Sequence, residues 1–248
     1  MENDSRTLSI VIPAWNEERT LETLVNKVID VELPYGVKKE IVLVNDASKD
    51  KTWEIMQNLA SMHSEIKAYS NAQNSGKTQT VKNGISYTSG DFVVIQDADL
   101  EYEPSDFAAM LKLMIDKNLD VVYGNRFGKK NGRGYVQNYL GNLFLSFASN
   151  VFTFPRIRSW IPDMEVCYKL IRGDVARELG SKIESRSKFG LEPEITARLA
   201  RYKLNGKHLK FGIVPINYYP RTMAEGKKMN AVNDGIKAVK EILTYNLK

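Results

Sequence analysis

A mostly parallel α/β sheet flanked by helices follows from three features of the chain. Short apolar runs alternate with segments of helical period through the first half. Each run spans about four to six residues, which suits a buried strand and is too short for a buried helix. Three of the runs end in polar clusters, Asn16/Glu17, Asp46/Ser48 and Asp97/Asp99. In a parallel sheet ligands bind beyond the carboxyl ends of the strands, so these clusters meet at one edge.

The elements follow in order. Leu8–Ile12 is a first strand closed by Pro13, and a helix after Asn16-Glu17-Glu18 carries Leu21, Leu24, Val25 and Val28 on one face. Glu40–Val44 is a second strand. Asp50 is a candidate N-cap for a helix bearing Trp53, Ile55, Met56 and Leu59. Ile66–Tyr69 is a third strand and Gly76–Tyr87 a helix. The apolar run Phe92–Ile95 is a fourth strand, Pro104–Leu113 a helix with proline in its first turn, and Leu119–Tyr123 a strand. This alternation implies right-handed βαβ units.

The second half reads differently. Asn125–Gln137 is a basic, glycine-containing loop. Tyr139–Phe154 is helical, with an apolar stripe through Leu140, Leu143, Phe144, Phe147, Val151 and Phe152. Such a stripe is core or, beside Arg156, Arg158 and Trp160, a membrane-facing surface. Val166–Ile171 is a strand, Phe189–Leu204 a helix with Glu192 and Glu194 near its start, and Leu209–Tyr219 strand-like. The chain ends in an amphipathic helix with Ile236, Val239, Ile242 and Leu243.

The stretch Asp91–Glu101 carries the strongest chemical signal. If the strand stays extended past Ile95, Asp97, Asp99 and Glu101 share one side. Adjacent carboxylates repel and are costly to desolvate, and a hard divalent cation, Mg²⁺ or Mn²⁺, resolves that conflict. A solvated acidic turn is the plain alternative for an isolated pair of aspartates.

Composition narrows the classes. The 248 residues suit one large domain, with a net charge of +5 from 35 Lys+Arg against 30 Asp+Glu. That excess fits phosphate-bearing substrates or an anionic membrane surface and does not single out nucleic acid. Cys167 is the only cysteine, and His63 and His208 lie far apart, so a disulfide framework, a cysteine-rich zinc site and a histidine metal site are all disfavoured. The polar N-terminus and the lack of a long apolar run lead to a cytoplasmic expectation. Asn74–Thr78 resembles the end of a P-loop, but Asn71 stands where the motif needs glycine.

Together the motifs resemble the family 2 glycosyltransferases of the GT-A fold, nucleotide-sugar enzymes with a Rossmann-like sheet. Blocks at Val11–Glu17, Val44–Thr52, Asn74–Lys77 leading to Gly90-Asp91, and Gln96–Asp99 match in order. Gln96–Pro104, Tyr123–Phe127, Asp163–Leu170, Phe189–Ala200 and Tyr218–Lys228 resemble the dolichol-phosphate mannosyltransferase-like branch, which uses polyprenyl phosphates. The resemblance implies one domain, with about 1–125 binding the nucleotide sugar and about 126–248 the acceptor.

It also implies roles. Pro13, Asn16 and Glu17 line the nucleotide pocket, Asp46 holds base or ribose, and Asn45 stands where a carboxylate is usual. Asp97 and Asp99 bind metal and sugar nucleotide, with Glu101 as a third ligand. Lys77 touches the nucleotide or is a solvated helix-end residue. Arg126 meets an acceptor phosphate, and Arg221, Lys227 and Lys228 form a basic loop that closes over phosphates. The implied reaction is an inverting, metal-dependent transfer from a UDP- or GDP-linked sugar to a polyprenyl phosphate, with peripheral membrane contact. A saccharide hydroxyl acceptor needs a base, for which Asp163 and Glu192 are candidates. A non-catalytic sugar-nucleotide-binding protein is the rival of another class.

Overall fold

The computed structural model describes residues 6–129, 136–187, 189–220 and 231–247. Its centre is a seven-stranded sheet. In chain order the first strands are β1 (Thr7–Ala14), β2 (Lys38–Asn45), β3 (Ile66–Ser70), β4 (Phe92–Ile95) and β5 (Val121–Asn125). β6 (Lys169–Arg172) and β9 (Phe211–Pro215) complete it, in the order β3-β2-β1-β4-β6-β5-β9. The contacts β3/β2, β2/β1, β1/β4 and β5/β9 are parallel; β6 runs antiparallel to both β4 and β5.

Helices cover the sheet: α1 (Leu21–Asp30), α2 (Thr52–Met62), α3 (Lys77–Ser86), α4 (Asp106–Asp116) and α6 (Gly173–Ser181). β1, β2 and β4 are fully apolar at their centres because both faces are covered; Ile10, Val11, Ile12, Ile41–Val44 and Val94 are all 0% exposed. Each such side chain contributes about 1.5–3 kcal/mol on burial. Gly84 lets α3 lie close on the sheet, since a Cβ there would run into the Val11 side chain.

Beyond β5 the chain forms α5 (Val136–Ile157), α7 (Leu191–Arg201) and α8 (Ala231–Leu247), which pack together, with a small hairpin of β7 (Lys203–Leu204) and β8 (Lys207–His208). α6 and this hairpin are absent from the sequence reading. The strand expected at Val166–Ile171 pairs only from Lys169, and the helix expected to reach Leu204 stops at Arg201. In α8 the inward face is Ala238, Ile242 and Tyr245, while Ile236 and Leu243 are exposed. No helix among the described residues is long and apolar enough to cross a membrane.

Helix α5 is turned inside out relative to an ordinary surface helix. Ser146, Ser149, Asn150 and Thr153 are buried, whereas Leu140, Phe144, Phe147, Val151 and Phe154 are 46–60% exposed. Its buried polar groups are used: Asn150 Nδ2 donates to the Ser146 and Ile161 carbonyls, its Oδ1 accepts from Ile161 N–H, and Ser146 Oγ accepts from Met164 N–H. These bonds fix residues 161–164 at the edge where the strands end.

Candidate active site

The carboxyl ends of β1, β2, β4, β5 and β9, and the start of the reversed strand β6, meet at one edge. The loops after β1 and β2 are laced together. Asn16, at φ 57°, donates its backbone N–H to Ser48 Oγ at 2.9 Å and accepts Lys49 N–H at 2.8 Å. Glu17 N–H donates to Thr52 Oγ1, and its carboxylate accepts from Thr20. Asp50 accepts the Thr52 N–H at 3.0 Å, so its side chain serves the start of α2 although the helix begins two residues later. Pro13 is buried at the end of β1, and the exposed Trp15 follows it.

Asp46, for which a base or ribose contact is expected, is held by the loop that leads into α3. It is 3% exposed, and its carboxylate accepts the N–H groups of Ser75 and Gly76 at 2.8 Å each, together with Asn71 Nδ2. The side chain is therefore a latch that shapes the loop leading into α3. Asn45 is likewise committed, donating to Ser70 Oγ and accepting Ser48 N–H.

The turn after β4 departs from the extended geometry that would align three carboxylates. The strand stops at Ile95, Leu100 has φ 60°, and Asp99 accepts the Glu101 N–H at 3.2 Å. Gln96, fully buried, pins the turn by donating to the Asp97 carbonyl and accepting from Tyr168 O–H. Glu101 is 8% exposed and accepts the Tyr218 O–H at 2.7 Å. The turn at Leu100 takes the chain out of the extended form on which its place as a third metal ligand rests, and its carboxylate is held at the Tyr218 hydroxyl. Among the described residues no three Asp, Glu, His or Cys side chains gather to hold a metal. Asp97 and Asp99 still form a hard-oxygen pair. Mg²⁺ is commonly held by one or two carboxylates with substrate phosphates and water, so this pair fits a divalent cation shared with a diphosphate.

Lys77, at the first turn of α3, joins distant parts of the chain. Its ammonium lies 2.8 Å from Asp97 and 3.5 Å from Glu192 at the start of α7. Desolvation works against its charge, but Asp97 and Glu192 outweigh it and hold the ammonium well above its usual range.

Arg126 lies just past β5, in a 3₁₀ turn over Arg126–Gly128, and is 7% exposed. Its Nε and Nη2 donate to the two oxygens of Asp163 at 2.7 Å each, and its backbone N–H donates to the same carboxylate. The guanidinium also lies over the Tyr218 ring, 5.1 Å from its centroid. Asp163 is 0% exposed and saturated by Arg126, so it positions that arginine and has no room to take a proton from an acceptor.

Two residues of the same segment were not singled out from sequence. Glu165 Oε1 is buried and has no hydrogen-bond partner. Burial first, and the charge of Glu192 second, push its carboxyl up to about 8 against the pull of Lys169 and Arg126. Lys169 is 2% exposed, donates to the Val166 carbonyl, and is held below its usual range by burial. The available signal was a charged pair four residues apart inside the otherwise apolar run Met164–Leu170. Arg221, Lys227, Lys228 and the basic residues of 130–135 lie outside the described residues.

The comparisons with known proteins agree with this geometry. Residues 9–180 match glycosyl transferase family 2. A dolichol-phosphate mannosyltransferase of Pyrococcus furiosus is 35% identical over 132 residues, 53% of this chain and 36% of that protein. A dolichyl-phosphate beta-glucosyltransferase of Trichomonas vaginalis is 34% identical over 128 residues, 48% of this chain and 40% of its own. The matched segments thus span less than half of these relatives. Among solved structures, glucosyl-3-phosphoglycerate synthase of Mycobacterium tuberculosis, with Mn²⁺, UDP-glucose and phosphoglyceric acid, superposes with TM-score 0.66 at 16% identity, covering 97% of this chain and 79% of that one. TarS of S. aureus superposes with TM-score 0.59 at 16% identity, covering 96% and 71%. At such identity the likeness speaks for the fold, which is GT-A. With more than half of its length matched, the chain belongs to glycosyl transferase family 2.

Proposed function

We propose that this protein transfers a sugar, with inversion, from a nucleotide diphosphate sugar to a polyprenyl phosphate at a membrane surface. The observation that carries the acceptor class is the outward apolar face of α5, with Leu140, Phe144, Phe147, Val151 and Phe154 exposed and serine, asparagine and threonine turned inward. A helix gains nothing in water from that arrangement, whereas a lipid surface or lipid chain buries the face. Trp160 packs against Phe147 and Phe154 at its end, and a groove of about 600 Å³ beside it is lined by Arg156, Arg158, His208 and Lys210, which suits anionic headgroups. The two dolichyl-phosphate relatives support the same class.

The residues then divide the work. Asp97 and Asp99 would hold a divalent cation, which supplies charge neutralisation at the leaving diphosphate. Lys77 sits where it can follow negative charge from Asp97 to the departing phosphate. Asp163 presents Arg126 in a fixed orientation for the acceptor phosphate. A phosphate acceptor is already anionic near neutral pH and needs no strong base. Arg221, Lys227 and Lys228 are assigned to phosphate contact in the same reading. Base and sugar stay open between the UDP- and GDP-linked donors.

A thermal-shift panel of UDP-, GDP- and dTDP-sugars with and without Mn²⁺ tests the donor half. One nucleotide should raise the melting temperature in a metal-dependent way, and Asp99→Ala should abolish the shift. A flat response to every donor would remove the donor-site reading.

A further inference from the structure

We propose that Glu165 is the neutral hydrogen-bond donor of the acceptor subsite, a carboxylic acid whose O–H meets an oxygen of the acceptor anion beside Arg126. The proposal rests on the phosphate-acceptor reading for the identity of its partner, and on the structure for the protonation of Glu165.

A buried carboxylate oxygen is almost always hydrogen-bonded, because a charged group without partners is costly in a protein interior. Glu165 Oε1 is enclosed and has none. The other carboxylates of this edge show the ordinary solution: Asp163 takes three N–H groups from Arg126, and Asp46 takes three donors from the loop at 71–76. The cation nearest in sequence, Lys169, spends its ammonium on the Val166 carbonyl. Protonation removes the conflict: Oε1 stays the enclosed carbonyl oxygen, and the O–H on the other oxygen, in a residue that is only half-buried, becomes the donor.

Every element packed around it contributes charge. Arg126 after β5 and Lys169 on β6 favour the carboxylate, and Glu192 on α7 and Asp163 after α5 oppose it. Burial is the largest influence and favours the acid. The function of a neutral donor here is electrostatic. Two cations of the edge are already offset, Arg126 by Asp163 and Lys77 by Asp97 and Glu192. A further carboxylate would repel an incoming anion, while a carboxylic acid binds it and adds no charge. A carboxyl kept neutral by its site to donate to an anionic oxygen is an established catalytic device.

Two measurements test the assignment. Melting temperatures of the wild type and Glu165→Gln are compared from pH 6 to pH 9. A proton-carrying Glu165 makes the wild type lose stability relative to the amide as pH rises, and a constant difference between the two overturns the protonation. Binding of farnesyl phosphate is then followed by calorimetry at both ends of that range. The wild type should weaken by about tenfold more than Glu165→Gln, whose amide N–H still donates, and Glu165→Ala should be weak throughout. Equal weakening in wild type and Glu165→Gln overturns the contact. A wild type that binds no farnesyl phosphate at either pH overturns the acceptor partner together with the proposed function, and the melts separate that failure from an ionised Glu165.

Discussion

Two glutamates with enclosed carboxylate oxygens, one on β2 and one in the turn before β6, have opposite fates. Glu40, at the start of β2, accepts from Ser9 Oγ, Lys67 Nζ, and both the N–H and Oγ of Ser89. Burial works against its charge, but these donors hold its carboxyl down at about 2. Glu165, beside β6, is as enclosed at one oxygen and has no donor there. The first lies at the edge away from the strand ends, where every polar group is used for the fold. The second lies at the edge where the strands end, and an incomplete set of partners there is what the proposed acceptor contact would complete.

The comparison extends to the halves that contain them. In the first half, Asp46 and Asn45 are held by hydrogen bonds from the protein itself and fix the loops after β2 and before α3. In the second half, α5 leaves its apolar side open and turns hydrogen-bonding side chains inward to hold residues 161–164.

Substitutions sharpen this contrast, and the largest effect is expected at Asp163. Asp163→Ala leaves Arg126 buried without its counter-ion, which costs about 3–5 kcal/mol in denaturant unfolding and removes the acceptor site. Asp46→Ala, which orphans the Ser75 and Gly76 N–H groups, should cost about 2 kcal/mol and weaken nucleotide-sugar binding.

The pH dependence has opposite signs at the two glutamates. Glu40 has a lowered folded value, so its contribution is present above the usual carboxyl value of 4.5 and is lost as pH falls toward about 2. Glu165 has a raised folded value, so its contribution is present below 4.5 and is lost as pH rises through about 8. Glu40→Gln should therefore flatten the acid limb of the stability curve, and Glu165→Gln the alkaline limb. Swapped or absent effects would break the comparison.

Smaller effects are expected at the surface. Lys77→Ala removes a pair whose lysine is 37% exposed and should change stability by less than about 1 kcal/mol, while lowering transfer markedly. Phe147→Asp on the open face of α5 should change stability by about 0.5 kcal/mol, yet abolish flotation with anionic vesicles. Unchanged flotation, or a dimer in the wild type that this change dissolves, would assign the face to a second copy of the chain.

Much of the parallel half was legible because apolar runs with polar ends report strands and strand ends directly. Phe92–Ile95 is found as expected, and the strand ends gather Asn16, Asp46 and Asp97 at one edge. The roles of single residues were less legible. A period-two pattern places Glu101 with Asp97 only while the chain stays extended, and the turn at Leu100 breaks it. The stripe on α5 was visible, but its direction depends on which side the neighbouring elements bury, and here Ser146 and Asn150 decide it. That Glu165 ends without a partner follows from its three-dimensional surroundings alone, since the same residue in the same run would be ionised beside one more donor.

The central claim is tested most directly by offering radiolabelled UDP- and GDP-sugars to the protein with undecaprenyl phosphate in anionic vesicles and Mg²⁺ or Mn²⁺. Label from one donor should move into the organic-extractable fraction, require the cation, and stay behind with Asp97→Ala. Label that remains wholly water-soluble with every donor, while the protein binds one of them, would contradict transfer to a lipid phosphate.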